Sequence, residues 1–343
     1  MIRSLSFKAD PPTPFHTMEY HHKKAFKHKL YDPWIDLDTK QKIVVNATKS
    51  LIELLKIPND YNIFFLKTSF PLNQALNKIA KGSIAIANTS NIQESFRKIT
   101  NNFFPWSIDS EDLTSNEIND LSLLYFEDID LFTGVKINFS DLEKKHKISK
   151  RPLIHCDISN SVPTEALDFQ SIHSFFFQAQ YGFGLMPGIC IGFAKDDVFE
   201  KIILEFRHDV KTASLSIANS THRAILYEVD IDKLYVLGMV AADMLNRGIN
   251  IIRNEIKYKS IIIQNAIKES LSFEPLIQDL NSQSKNIFCA TTKASKQKVV
   301  EFFTENDVEL DVYQDVNSII RIANYPVHSK EQTEYLADLL GKF

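Results

Sequence analysis

At 343 residues, with 44% hydrophobic and 24% charged side chains and a net charge of −4, the chain has the make-up of an ordinary soluble protein with room for one large domain and a smaller companion. That charge balance gives no electrostatic basis for a nucleic-acid partner. No apolar run approaches the roughly 18–20 residues that span a bilayer, and the opening segment MIRSLSFKADPPTPF lacks a signal-peptide core, so no membrane association and a cytoplasmic location are expected.

In chain order, Pro11, Pro12, Pro14 and Pro33 predict an irregular segment over 1–35 with no regular helix. Ile43, Val44, Ala47, Leu51, Leu54 and Leu55 then recur at helical spacing, predicting a helix over Asp36–Lys56 that ends before Pro58. Short β-type runs follow at Asn62–Lys67, Ser83–Asn88, Leu121–Glu127, Leu153–Asp157, Ser174–Gln178 and Ile189–Ala194, alternating with helical stretches. This rhythm predicts an α/β domain with a mainly parallel sheet over 36–230. Asp230–Leu271 reads as two helices or one bent one. The remainder gives strand, helix, strand, strand, helix, a small α+β lobe that completes a second unit over 231–343, with 1–35 contributing to that lobe or to a dimer interface. The three cysteines, Cys156, Cys190 and Cys289, are far apart in apolar runs, which suits reduced, buried thiols.

Open α/β sheets gather their ligands at the carboxyl ends of the strands. That rule directs attention to Lys67–Ser69, Asp128–Thr133, Asp157–Asn160 and Gln178–Tyr181. Only nine glycines occur, well under half the usual frequency of about 7%, so little material exists for a glycine-rich phosphate loop.

Within Leu153–Phe193, Asp157 and Ser159 close a strand, Leu167–Asp168 precede the next, and Gln180, Tyr181, Gly182–Leu185, Pro187 and Gly188 follow it. This stretch resembles the cofactor region of the class V aminotransferases, on their phosphoserine aminotransferase side. Upstream, PPTPFHTMEYHHKKAF is similar to the family's S-H-R-x-x-E-F segment, placing His21 and His22 on its histidine and arginine. Downstream, SIIRIANYPVHSKEQTEYLADLL is similar to its closing segment, with Arg321 on the arginine that grips a substrate carboxylate. The likeness covers essentially the whole chain. It implies the fold type I architecture of pyridoxal phosphate enzymes: a large domain with a mainly parallel seven-stranded sheet flanked by helices, plus a smaller C-terminal α+β domain. It also implies a dimer, either a homodimer or a heterodimer with an active paralogue.

The resemblance puts Tyr181 on the lysine that binds the cofactor. A phenol cannot condense with an aldehyde, so conventional transamination is not expected; Tyr181 either fills the space or acts as an acid–base group. Asp157, Ser159, Gln180, Thr68 and Ser69 fall on cofactor-facing positions; Asp157 has the chemistry to pair with a protonated ring nitrogen, and equally that of a strand-end aspartate capping nearby backbone N–H groups. Elsewhere the family pattern has eroded. Lys67-Thr68-Ser69-Phe70-Pro71 replaces the small-residue phosphate cup, Ile129–Val135 carries apolar residues in place of cofactor-facing polar ones, and Glu228-Val229-Asp230 falls where a phosphate contact is expected. The cofactor expectation is accordingly ancestral pyridoxal phosphate, none of it covalently bound, with pyridoxamine or pyridoxal phosphate held non-covalently as the alternative. Lys67, His21, His22 and Arg321 are the candidate contacts to a small anionic ligand; for Arg321 a structural ion pair is the competing reading. The histidines around His16–His28 lack the carboxylate partners and spacing of a metal site, so no metal is expected.

Overall fold

The computed structural model describes residues 5–9, 13–80, 83–87, 103–106, 121–137, 139, 152–208, 222–279, 282–313 and 318–343. Strand β1 (Leu5–Ser6) is followed by α1 (Met18–Lys27) and α2 (Leu37–Leu55). The irregular first 35 residues predicted from the prolines therefore contain a helix: none of the four prolines falls between 18 and 27, and α1 occupies the gap they leave. Asp36 caps α2 by accepting from Thr39 N at 2.8 Å, and Lys56 closes it in the left-handed conformation.

The large sheet takes β2 (Tyr61–Leu66), β3 (Ser83–Ala87), β4 (Phe103–Trp106), β5 (Leu121–Glu127), β6 (Leu153–Asp157), β7 (Ser174–Gln178), β8 (Cys190–Lys195) and β9 (Ala224–Tyr227). Their spatial order is β4-β3-β5-β6-β7-β8-β2-β9, parallel throughout except that β8 runs against both neighbours. The expected mainly parallel sheet is present with eight strands instead of seven. The addition is β9, which pairs with the outer edge of β2 from Ile63–Ala224 to Leu66–Tyr227. All six residues of β2 are buried, the mark of a strand covered on both faces. One face packs against α2 and α5 (Ile231–Arg247). The other is covered by α3 (Phe70–Ala80) and α4 (Asp196–His208), through Leu72, Leu76, Phe199 and Ile202.

Helix α5 gives way to α6 (Ile249–Glu269) at Gly248, whose φ of 91° breaks the helical run. The C-terminal lobe is an antiparallel sheet of β10 (Glu274–Pro275), β11 (Ile287–Thr292), β13 (Asp311–Tyr313) and β14 (Ser318–Ala323), in the order β10-β11-β14-β13. Helices α7 (Lys296–Glu305) and α8 (Lys330–Lys342) cover it with α6, and β12 (Val308–Glu309) pairs in parallel with β1. The run from residue 5 to 9 thus belongs physically to this lobe: Ala323 N donates to Phe7 O at 2.8 Å and Ala9 N to the Asp311 carboxylate at 2.9 Å. Among the described residues no helix is long and apolar enough to cross a membrane.

Candidate functional site at the strand carboxyl ends

Parallel strands β5, β6 and β7 bring their carboxyl ends together, and the chemistry-bearing side chains follow from that register. Glu127 closes β5 directly opposite Asp157, which closes β6. Asp157 is 8% exposed; its Oδ1 accepts from Ser159 N at 2.9 Å and from the Ser159 hydroxyl, which in turn accepts from Gln178 N at 2.9 Å. Two neighbouring strand ends are thereby tied through one serine. No described residue bonds to Asp157 Oδ2.

Among the described residues no cation forms an ion pair with Glu127, Asp128 or Asp157, and only Lys136 draws the Asp128 value down from a distance. Burial pushes the Asp157 carboxyl up to about 6, against the opposing pull of the Ser159 hydrogen bonds. Burial also pushes Asp128 up to about 8, with Asp157 adding to the rise. Glu127 moves well above the ordinary range through burial and then the proximity of Asp157, Asp130 and Asp128. Glu127 and Asp128 are half-buried, and Asp128 Oδ1 is sealed from solvent with no hydrogen-bond partner among the described residues. Asp130 serves its own loop, accepting from Phe132 N and the Thr133 hydroxyl and so holding the turn that ends at Gly134.

Tyr181 lies in the turn after β7. It is 9% exposed and packs in an apolar cluster with Ile129, Cys289, Ala323 and Tyr325, its ring 6.5 Å from that of Tyr325. Tyr325 donates its hydroxyl to Asn160 Oδ1 at 3.0 Å and so joins the C-terminal lobe to the loop after Asp157. The turn is tight because of Gly182: a Cβ there would stand 1.6 Å from Val162 O. Gln180 is 8% exposed, and its amide has no hydrogen-bond partner among the described residues.

The other expected contacts disperse. Lys67 and Thr68 are exposed and Ser69 half-buried, in the turn between β2 and α3. Arg321 is 6% exposed and committed inside the chain: its Nε and Nη2 donate to Asp311 Oδ2 at 3.0 and 2.9 Å, and its Nη1 to Leu131 O at 3.3 Å. Tyr313 stacks beneath the guanidinium, 4.9 Å away. The ion-pair reading of Arg321 is the one the geometry matches, and the expectation of a free carboxylate grip is corrected accordingly. His21 is buried and bonds through Nε2 to Asp243 on α5 at 2.7 Å, while His22 lines a surface recess with Lys23, Phe26 and Tyr31. Within one chain, neither is gathered with Arg321. Among the described residues no three His, Cys, Asp or Glu side chains are placed to hold a metal ion, and all three cysteines are buried and free.

Asp128 opens one of the segments to which the strand-end rule directs attention, whereas Glu127, opposite Asp157, falls just outside it. The signal was present in the run Glu127-Asp128-Ile129-Asp130, three acids at a strand end with no basic neighbour before Lys136.

No family model matches the sequence, and no curated protein matches it. Solved structures do. A phosphoserine aminotransferase from Cytophaga hutchinsonii superimposes with a TM-score of 0.82 at 21% identity, covering 100% of this chain and 99% of that one. The phosphoserine aminotransferase of Bacillus circulans subsp. alkalophilus gives 0.75 at 13% identity, over 100% and 98%. A NifS-like protein gives 0.71 at 11% identity, over 99% and 98%. The chain shares the fold of these structures from end to end.

Proposed function

We propose that this chain is a class V aminotransferase-like protein that does not transaminate through a lysine-bound cofactor, and that it uses the inherited cleft for non-covalent ligand binding in a regulatory or partner-subunit role. The observation that carries the reading is the surroundings of Tyr181, a phenol enclosed among Tyr325, Cys289 and Ile129. Pyridoxal phosphate, which a solved relative from Trichomonas vaginalis holds, does not fit here as a Schiff-base cofactor. The aldehyde needs a primary amine, and the buried or paired lysines nearby are already claimed. Lys136 bonds to Glu165 at 2.9 Å, Lys285 lies 3.4 Å from the same carboxylate, and Lys259 donates to Tyr325 O and His328 O. A small-carboxylate role resting on Arg321 is not retained, because Asp311 already satisfies that guanidinium.

The test is borohydride reduction in the presence of added pyridoxal phosphate, followed by mass spectrometry. The expected result is no stoichiometric phosphopyridoxyl label on any lysine. One lysine labelled to completion, with Schiff-base absorbance before reduction, overturns the proposal. A second reading is favoured by Asp157, whose Oδ2 has no partner among the described residues: a pyridoxamine or pyridoxal phosphate ring held non-covalently, with Tyr181 as acid–base group. Saturable binding of pyridoxamine phosphate that Asp157→Asn abolishes would select it.

A further inference from the structure

The strap formed by residues 5–9 lies in a corner with α6 and the loop 324–328 that follows β14, and two buried bases hold that corner. Lys259, 1% exposed on α6, donates through Nζ to Tyr325 O at 2.9 Å and to His328 O at 2.8 Å. Among the described residues no carboxylate pairs with it; Glu255, one turn back on the helix, is bonded to Arg247. A buried amine without a counter-ion is costly to charge. Two carbonyls take up both hydrogens of the neutral amine, whereas an ammonium brings a third that has no acceptor among the described residues.

His328, 6% exposed, uses both ring nitrogens. Nδ1 accepts from Tyr325 N at 3.2 Å, which leaves Nε2 to carry the proton and donate to Ser6 O at 3.0 Å. Only the neutral ring fits, because a proton on Nδ1 would set donor against donor at Tyr325 N. Phe7 of the strap stacks on the same ring, 4.5 Å away. Ser6 O also accepts from the Thr13 hydroxyl at 2.6 Å, and two residues further on Phe15 N donates to Gly184 O at 2.9 Å, in the turn that carries Tyr181. That contact is close: a Cβ on Gly184 would stand 2.6 Å from Phe15 N and 2.9 Å from Val327 Cγ1.

We propose that Lys259 and His328 form a latch, tightest with both groups neutral and loosened by acid, that docks the N-terminal strap and through it steadies the turn carrying Tyr181. The inference goes beyond the proposed role of the cleft and does not depend on it. Burial pushes Lys259 down to about 7, with Glu255 opposing and Arg247 adding to the fall; burial and then the Lys259 charge push His328 down to about 3. Once exposed they return to their ordinary 10.5 and 6.5, so opening takes up a proton at Lys259 between pH 10.5 and 7 and another at His328 between 6.5 and 3. Closure is therefore favoured as pH rises. The other charged groups around the corner are matched locally: Lys8 with Glu309, Asp311 with Arg321, Lys285 with Glu165, and Glu334 with the Tyr258 hydroxyl.

The experiment is hydrogen exchange of the full chain, read by mass spectrometry from pH 8.5 to 5.5 and corrected for the intrinsic exchange rate at each pH. The open fraction of the strap should rise about tenfold from pH 8.5 to 7.5 and roughly fivefold from 6.5 to 5.5, with the peptide spanning Tyr181 and Gly184 loosening in step. Lys259→Met should remove the upper slope. His328→Gln, which can still accept and donate but does not titrate, should remove the lower one. A strap whose corrected protection in the wild type is independent of pH overturns the proposal without any variant. So do slopes that persist in both variants, strap amides that exchange no faster than those of β2 at every pH, or a Tyr181 peptide that ignores the strap.

Discussion

On the proposed reading Tyr181 stands in the place of the cofactor lysine, and a single substitution there should not restore an amine-bound cofactor. Tyr181→Lys would supply an amine, but it would place that amine in an apolar cluster with Tyr325 and Cys289, while the turn from Lys67 to Phe70 stays open to solvent. The expected outcome is no measurable transamination of phosphoserine or glutamate with added pyridoxal phosphate. Turnover regained by that single change would show the cofactor pocket to be intact. Arg321 offers a second prediction. Asp311 Oδ2 accepts from Nε and Nη2 of Arg321 and from Ala9 N, so Asp311→Ala strands a buried guanidinium and should cost about 3–5 kcal/mol in urea denaturation. Replacing both partners with apolar residues, Arg321→Met with Asp311→Leu, should recover much of that loss.

The acid cluster predicts a pH signature with a definite sign. Asp128 has a folded value of about 8 against an ordinary 3.8, so between those values the native state binds the extra proton. Stability from this group is then present at low pH and declines as pH rises toward 8, by up to about 1.4 kcal/mol per unit for each such proton. Subtracting the stability–pH curve of Asp128→Asn from that of the wild type isolates the slope. A flat difference between pH 5 and 8 would show the carboxyl to be ordinary. These residue-level features were partly legible in advance. Asp157, Ser159 and Gln180 stand at the strand ends because a strand ending in a polar run is visible in sequence. The pairing of Arg321 with Asp311 was not, because only antiparallel register across β13 and β14 sets those two positions opposite each other.

At the scale of elements, the glycines show where the backbone has least freedom. Four of the nine stand at 182, 184, 188 and 192, around the turn between β7 and β8. At Gly182 a side chain would meet the Val162 carbonyl at 1.6 Å, and backbone cannot yield that far. Gly182→Ala should therefore unseat the turn that presents Gln180 and Tyr181, costing on the order of 3 kcal/mol or more and abolishing any ligand response. Gly248→Ala, which opens onto ordinary contacts but sits at φ 91°, should be milder. Periodicity located nearly every long element to within a residue or two, since α2, α5 and α6 are amphipathic and β5, β6 and β7 are apolar runs with clear ends. It failed at α1, whose surroundings are rich in proline, and it gave no warning of β9. A four-residue strand such as Ala224–Tyr227 is defined by the edge it pairs with more than by its own pattern.

For the whole molecule, the fold was legible because the resemblance and the alternation of elements agreed over the full length. The assembly expected from that resemblance, a homodimer or a heterodimer with an active paralogue, has a candidate surface. Phe26 at 69% exposure, Trp34 at 90%, Tyr31 at 56% and Leu37 at 65% cluster in sequence around the junction of α1 and α2. Large apolar groups left in water in that density mark association surfaces. Sedimentation of the wild type should show a dimer, and Phe26→Glu with Trp34→Glu should shift it toward monomer. A wild type that sediments as a folded monomer at micromolar concentration would remove the expectation.

The docking of residues 5–9 onto the C-terminal lobe has a consequence for biosynthesis. Ala9 N reaches Asp311 across 302 positions, and Phe7 O waits for Ala323 N. On a ribosome, Ala9 emerges 302 positions ahead of Asp311, so this segment must remain unclaimed until its partners are made. The large sheet can condense earlier, because β2 to β9 are all made by residue 227. Nascent chains arrested shortly after β9 should thus hold a protease-resistant core while the segment around Phe7 stays open to cleavage, and that segment should become protected once β14 has cleared the exit tunnel. A tag fused ahead of β1 would travel with this late-docking segment, so its effect would fall on the closing step of the fold and leave the sheet untouched.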